Sequence, residues 1–132
     1  MNKLFVYGTL KKGYSRNSVL EESKFIGEYI TKPNFTMVDL GFFPGLIEVG
    51  NTSITGELYK VSDETLKYCD VIEGHPTFYF RKKILLEDNE LVWSYVLDLK
   101  TYKSRPIIVS GIWMWFYEKV IKRYMEGNIK KT

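Results

Sequence analysis

The stretch FVYGTLKKG, residues 5–13, decides how the chain begins to fold, because apolar and aromatic residues run directly into Gly8 and a basic turn. With Lys3 and Leu4 before it, the run predicts a strand with apolar side chains on both faces, which is typical of a central strand. Gly8 has two explanations. Either a strand simply ends there, or the bare backbone lets a ligand reach N–H groups that can bind an anion or a developing oxyanion.

Outward from this strand, turn residues divide the chain into short alternating segments. Further strands are predicted over residues 24–31, 34–40, 53–61, 78–87 and 91–99, the last two joined as a hairpin across Asp88 and Asn89. Pro44 and Gly45 are predicted to form a turn within an apolar run. A short helical turn is predicted at 18–23, a helix after Ser62, and a final helix from near Ser110.

These elements predict one α+β domain over residues 1–132, with a mixed, barrel-like sheet, flanking helices and a C-terminal helical extension over 110–132. At 132 residues with 45% hydrophobic and 16% aromatic content, the chain is long and apolar enough to bury a core. The aromatic content also suits a pocket lined by rings.

Composition excludes several classes of site. One cysteine, Cys69, and one histidine, His75, leave no disulfide framework and no multi-histidine metal centre. A net charge of +3 is too small to indicate nucleic-acid binding, and the apolar run GIWMWFY is too short to span a bilayer. Met1, Asn2 and Lys3 precede a short strand rather than the long apolar segment of a secretion signal. We therefore expect a cytoplasmic protein with no metal, nucleic acid or membrane partner.

The helix after Ser62 carries the strongest chemical signal. Positions i, i+3, i+4 and i+7 share one face of it, and they hold Leu66, Cys69, Asp70 and Glu73. Burial of Glu73 on this face, next to Asp70, would raise its pKa and suit it to proton transfer near neutral pH. The alternative is a helix-end residue whose carboxylate pairs with Arg81 or Lys82.

Four segments in this order, YGTLKKG, GFFPGL, GELYKV and LKYCDVIEGHPTFYFR, together resemble the gamma-glutamyl cyclotransferase-like family. The resemblance runs over about residues 5–110 and is nearest to the gamma-glutamylamine cyclotransferase and plant avirulence-induced branch. It implies a small, barrel-like mixed sheet with flanking helices. It also implies a cofactor-free enzyme in which the α-amine of a small gamma-glutamyl substrate attacks its own side-chain amide carbonyl, releasing 5-oxoproline and a free amine.

The resemblance assigns site residues by motif. The family's catalytic glutamate matches Glu73, and its substrate-binding loop and downstream positions match Tyr7, Gly8, Thr9, Leu10, Tyr79 and Arg81. These assignments agree with the chemistry, because such a cyclisation needs a base, an oxyanion site and a pocket that folds the glutamyl chain. Candidates for the aromatic lining are Tyr7, Tyr14, Phe43 and Tyr79, with a core position as the alternative for Phe43.

Other assignments stay open at the level of sequence. Asn17 is either a polar site residue or a turn cap, and Ile112 stands where the family usually has an acidic residue. A non-catalytic binding module on the same fold is one alternative function. An interaction protein that acts through its aromatic C-terminal helix is another. The leaving amine and the oligomeric state are not specified by these motifs.

Overall fold

The computed structural model describes residues 1–114, and the strands in this part of the chain form two sheets. The strands are β1 (Asn2–Val6), β2 (Lys24–Ile30), β3 (Phe35–Asp39), β4 (Pro44–Thr52), β5 (Thr55–Val61), β6 (Phe80–Leu85) and β7 (Leu91–Val96). The larger sheet has the order β2-β5-β1-β7-β6, in which β1 is antiparallel to β5 and parallel to β7. The predicted central position of the first strand and the predicted α+β class are both confirmed.

The side chains of β1 divide the core into two parts. Leu4 and Val6 pack into one buried cluster, whereas Phe5 and Tyr7 pack into a second. This alternation is the period of two that a strand imposes, and here both faces of the strand are covered. The backbone that leaves β1 therefore enters the first loop with neighbours on both sides.

The smaller sheet pairs β3 with β4, and it corrects one prediction. Pro44 and Gly45 begin β4, opposite Asp39 and Val38, rather than forming a turn. Proline is accepted as the first residue of a strand because no ladder hydrogen bond is required from it there. The turn falls earlier, at Gly41, whose φ of 104° favours glycine.

Helix α1 (Asp63–Glu73) has the predicted caps. The Ser62 side chain accepts a hydrogen bond from the Thr65 backbone N–H at 3.1 Å, and Gly74 ends the helix with a φ of 69°. The predicted helical turn near 18–23 is a 3-10 helix over Asn17–Leu20. A further single turn, α2 (Leu99–Tyr102), was not predicted from the sequence; it is capped by the Asp98 side chain.

The end of the described chain folds back onto the domain. Residues 110–114 form a turn and an irregular segment, so no helix begins at Ser110, and Trp113 is fully buried. Most of the predicted C-terminal helical extension, residues 115–132, lies outside the described residues. Across residues 1–114, no helix combines the length and apolar character that crossing a membrane requires.

Candidate active site

A cavity of about 290 Å³ opens where β1, α1 and β4 converge. Its wall includes the loop after β1, the C-terminal end of α1, the start of β4 and the segment before β6. Six of the seven predicted site residues lie on this wall, namely Tyr7, Gly8, Thr9, Leu10, Glu73 and Tyr79. The fold therefore brings together residues that are more than sixty positions apart in sequence.

Glu73 is a half-buried carboxylate on the cavity wall. Leu66 and Cys69, on the same face of α1, are buried in the core. Within residues 1–114 no group forms a hydrogen bond or ion pair with the Glu73 side chain. Burial raises the pKa of Glu73 to about 7, and the positive charge of Arg16 acts in the opposite direction. The raised pKa thus comes from burial rather than from Asp70, whose negative charge was expected to contribute.

The described residues do not contain the alternative predicted for Glu73, an ion pair with Arg81 or Lys82. Arg81 pairs with Asp70, with Nε 2.7 Å from Oδ1, and Lys82 pairs with Glu48, with Nζ 2.8 Å from Oε1. Both candidate cations are therefore occupied by other carboxylates. Glu73 is left facing the cavity, where it can exchange a proton near neutral pH.

The loop after β1 presents unused backbone donors. The Gly8 carbonyl accepts from the Lys11 N–H at 3.0 Å, and the Thr9 carbonyl accepts from the Arg16 N–H at 2.9 Å. By contrast, no hydrogen bond in the described chain is donated by the backbone N–H of Gly8, Thr9 or Leu10. Such donors on a cavity wall can bind a carbonyl or carboxylate oxygen.

Packing gives a direct reason for glycine at position 8. A Cβ there would lie 2.9 Å from the Pro44 ring, which is closer than side-chain atoms approach. Gly8 thus lets β4 close against the first loop. Packing supports the first explanation of the sequence pattern, because the strand ends against Pro44, and the unused N–H groups of the loop are compatible with the second.

A series of side-chain hydrogen bonds stabilises the first loop. Asn17 Nδ2 donates to the Leu10 carbonyl at 2.8 Å and to the Tyr59 hydroxyl at 3.2 Å. The Tyr59 hydroxyl donates to Glu57, which also accepts from the Lys12 backbone N–H. Asn17 therefore fixes the backbone of the loop, which is the turn-stabilising role that the sequence left open.

The two tyrosines contribute ring surface rather than free hydroxyls. The Tyr7 hydroxyl donates to the Tyr95 carbonyl at 2.6 Å, and the Tyr79 hydroxyl donates to the Pro44 carbonyl. Both side chains are almost fully buried, and burial raises the pKa of each hydroxyl well above its usual value. Each is therefore neutral at physiological pH and already engaged with backbone.

Arg81 is the predicted site residue that the fold does not bring to the cavity. Its guanidinium lies 4.2 Å from the centre of the Trp93 ring and pairs with Asp70. Its backbone N–H donates to His75 Nδ1 at 2.9 Å, which closes the loop after α1. These contacts connect β6 to the last turn of α1, on which Glu73 lies.

Several wall residues were missed from the sequence. Arg16, Phe78 and Tyr95 line the cavity and were not predicted there, whereas Phe43, which was predicted as either a lining or a core residue, also lines it. Tyr14 is not on the wall; its hydroxyl donates to the Trp113 carbonyl, which also accepts from the buried Lys11 Nζ. No pattern in the first loop distinguishes Arg16 from its basic neighbours. Only its position in the sequence, six residues after Leu10, pointed to the site.

Cys69 has a packing role, and the described residues contain no metal-binding group. Cys69 is fully buried, and burial raises the pKa of its thiol to about 12, as a packing thiol requires. In the part of the chain that the structure covers, no three His, Cys, Asp or Glu side chains gather as a metal-binding group.

Comparison with known proteins shows that this chain is similar to members of one family. The family model described as gamma-glutamyl cyclotransferase, AIG2-like, matches residues 4–114. A Vibrio cholerae protein provisionally named a gamma-glutamylcyclotransferase is 37% identical over 110 residues, covering 83% of this chain and 93% of its own. One from Methanocaldococcus jannaschii with the same provisional name is 43% identical over 86 residues, covering 64% of this chain and 71% of its own. The crystal structure of a mouse AIG2-like protein superposes with a TM-score of 0.74 at 25% identity, covering 86% of this chain and 88% of that one.

Proposed function

The chain belongs to the AIG2-like gamma-glutamyl cyclotransferase family, and on that premise we propose that it is a cofactor-free gamma-glutamylamine cyclotransferase. Its substrate is a small molecule in which a gamma-glutamyl group is linked to an amine. The observation that carries the proposal is that Glu73, with a pKa raised by burial to about 7, shares one cavity with the unused N–H groups of Gly8, Thr9 and Leu10.

The reaction is an intramolecular acyl transfer. The α-nitrogen of the gamma-glutamyl group forms a bond to the side-chain amide carbon while Glu73 takes a proton from that nitrogen. The carbonyl oxygen becomes an oxyanion, to which the N–H groups of the first loop donate. Glu73 then gives its proton to the leaving nitrogen as the old C–N bond breaks. The products are 5-oxoproline and a free amine, and no water or cofactor is consumed.

The shape of the cavity supports this chemistry. Nucleophile and electrophile are parts of one molecule, so the protein's main task is to hold the glutamyl chain in a folded conformation. The rings of Tyr7, Phe43 and Tyr79 line a cavity of about 290 Å³, which is small enough to restrict a five-carbon acyl group.

A panel of gamma-glutamyl amines and gamma-glutamyl amino acids, with 5-oxoproline followed by mass spectrometry, tests the proposal. Product from the wild type, and none from Glu73→Gln, is the expected result and identifies the class of leaving amine. Absence of product from every member would contradict the enzyme assignment and favour a binding module on the same fold.

The pH dependence of kcat/KM should report the ionisation of Glu73. We expect kcat/KM to rise with pH to a plateau, and the midpoint of this rise should lie near pH 7, because Glu73 accepts a proton only when it is ionised. Five neighbouring groups do not titrate there, because the pKa values of Tyr7, Tyr79, Tyr95 and Cys69 are raised and that of Asp70 is lowered.

The control for this profile is His75→Asn, whose side-chain oxygen can still accept from the Arg81 backbone N–H. The variant should keep the midpoint of the wild type. A midpoint that moves with His75, or a profile that stays flat from pH 5 to 8, would show that Glu73 is not the group that titrates.

Tyr79→Phe should have a small effect on turnover and a clear effect on stability. The lost hydroxyl leaves the Pro44 carbonyl without its donor, which costs about 1–2 kcal/mol of unfolding free energy. We expect kcat/KM to fall by less than about 10-fold, because the ring that lines the cavity remains. Urea unfolding and initial rates measure the two effects.

The matched control is Tyr68→Phe, since Tyr68 is 59% exposed on the outer face of α1. It should leave both quantities unchanged. A loss of turnover in Tyr79→Phe as large as that in Glu73→Gln would instead give the Tyr79 hydroxyl a chemical role.

A further inference from the structure

Arg16 and Glu73 are the two charged side chains on the cavity wall within residues 1–114, and they carry opposite charges. The proposed mechanism uses Glu73 and leaves Arg16 without a task. We infer that Arg16 binds the α-carboxylate of the substrate and so selects acyl groups that carry an intact α-amino acid head. This inference rests on the proposed function and adds a specificity residue to it.

Arg16 is held between the two parts of the wall that carry the chemistry. Its backbone N–H donates to the Thr9 carbonyl at 2.9 Å, and its Nη1 donates to the Ile72 carbonyl at 3.3 Å. Thr9 belongs to the loop with the unused N–H groups, and Ile72 directly precedes Glu73. The backbone of Arg16 therefore contacts the first loop, and its guanidinium contacts the residue that precedes the base on the wall of the same cavity.

The guanidinium has capacity left for a ligand. It carries five N–H donors, and the bond to Ile72 uses one of them. No carboxylate in the described chain pairs with Arg16, although the carboxylates of Asp70, Glu48 and Glu90 all have cationic partners. Arginine binds carboxylates through two parallel hydrogen bonds, which fixes orientation as well as position.

The substrate head matches this arrangement of charges. A gamma-glutamyl group has an α-ammonium and an α-carboxylate on one carbon, and a carbonyl three carbons away. Glu73 faces the α-nitrogen, which attacks as the neutral amine, Arg16 binds the carboxylate, and the loop N–H groups bind the carbonyl oxygen. Three fixed points on one flexible chain hold the nitrogen against the carbonyl carbon, which is the folded conformation that cyclisation needs.

A purely structural role is the competing explanation. The bond to Ile72 places a positive charge at the C-terminal end of α1, where cations are favourable. Arg16 as a helix cap would affect stability and would act equally on every substrate. Arg16 as a carboxylate anchor would act only on substrates that carry the carboxylate.

The test compares gamma-L-glutamyl benzylamide with its α-carboxamide twin, in the wild type, Arg16→Gln and Arg16→Lys. We expect Arg16→Gln to lower kcat/KM for the carboxylate substrate by roughly 10- to 100-fold, mainly through KM, and to change the carboxamide by less than about 3-fold. Arg16→Lys should recover part of the loss. The control is Arg105→Gln, since Arg105 does not line the cavity and donates to the Asp39 carbonyl; it should match the wild type.

Binding without turnover separates this inference from the proposed function. NMR titrations with L-5-oxoproline and with its carboxamide should show tighter binding of the acid to the wild type, and Arg16→Gln should remove the difference. That result supports the anchor even if no substrate of the panel turns over. The inference would be overturned if Arg16→Gln lowered kcat/KM equally for both benzylamides, or if the wild type bound the acid no more tightly than the carboxamide. Neither result would bear on whether Glu73 catalyses turnover.

Discussion

Glu73→Gln is expected to lower the rate of 5-oxoproline release by roughly 100- to 10,000-fold, the range that general acid–base catalysis contributes. Glutamine has the size and shape of glutamate but cannot accept a proton from the attacking nitrogen. The same side chain is also expected to protonate the leaving nitrogen, so both halves of the transfer are lost at once. Initial rates on the best substrate of the panel measure the effect.

Stability distinguishes loss of chemistry from loss of fold in this variant. The pKa of Glu73 is about 7 in the folded protein and 4.5 in a free side chain, so ionisation is unfavourable in the folded state. The contribution of Glu73 to stability is therefore full below pH 4.5 and falls as pH rises through 7. Neutral glutamine avoids this loss, and Glu73→Gln should be about 3 kcal/mol more stable than the wild type at pH 8 and equal to it at pH 4.

The matched control is Glu64→Gln, an exposed glutamate in the first turn of the same helix. It should keep wild-type rates and show no such pH-dependent gain in stability. Turnover at the wild-type rate in Glu73→Gln would remove Glu73 from the role of base. Equal stability of Glu73→Gln and the wild type at pH 8 would show that Glu73 is not buried as the structure describes.

The parts of the fold that could be predicted from sequence are those fixed by local chemistry. Ser62 and Gly74 determine where α1 begins and ends, because a side-chain acceptor and a left-handed residue are needed at those two positions. The helical period then places Glu73 on the buried face with Leu66 and Cys69. The candidate base could therefore be identified before any three-dimensional information was available.

The parts that were missed depend on tertiary neighbours. Pro44 and Gly45 form a turn in most local contexts, but here Gly45 lies so close to Leu97 that an added Cβ would be 1.9 Å from Cδ1. Arg16 and Phe78 reach the cavity only because the first loop and the loop after α1 meet at the end of β1. Such meetings between distant loops leave no periodic signal in the sequence.

Arg81 shows why a motif can identify a residue without identifying its contact. Its place after Tyr79 indicated a substrate-binding cation, but Arg81 lies within β6, and no residue of β6 lines the cavity. There it meets Asp70 and Trp93. The pair Asp70–Arg81 thus acts on the site by fixing the last turn of α1, on which Glu73 lies.

Asp70→Asn is expected to lower the unfolding free energy by about 2 kcal/mol at neutral pH and to lower kcat/KM as well. Asp70 Oδ1 accepts from both Arg81 Nε and the Tyr95 hydroxyl, each at 2.7 Å, and the pair is largely shielded from solvent. Burial alone would raise the pKa of Asp70, but the hydrogen bonds from Arg81 and Tyr95 outweigh it and lower the pKa. Removing the charge leaves the half-buried Arg81 without its carboxylate partner.

The sign of the pH dependence identifies this mechanism. Because the folded-state pKa of Asp70 is lowered, its stabilising contribution is present above the ordinary aspartate pKa and is lost as pH falls through the folded value. The difference between Asp70→Asn and the wild type should therefore shrink in acid. Glu48→Gln, which breaks the more exposed pair with Lys82, should cost less than about 1 kcal/mol. If the two variants lose equal stability at pH 7, or if Asp70→Asn keeps full turnover, the ion pair does not fix the turn that carries Glu73.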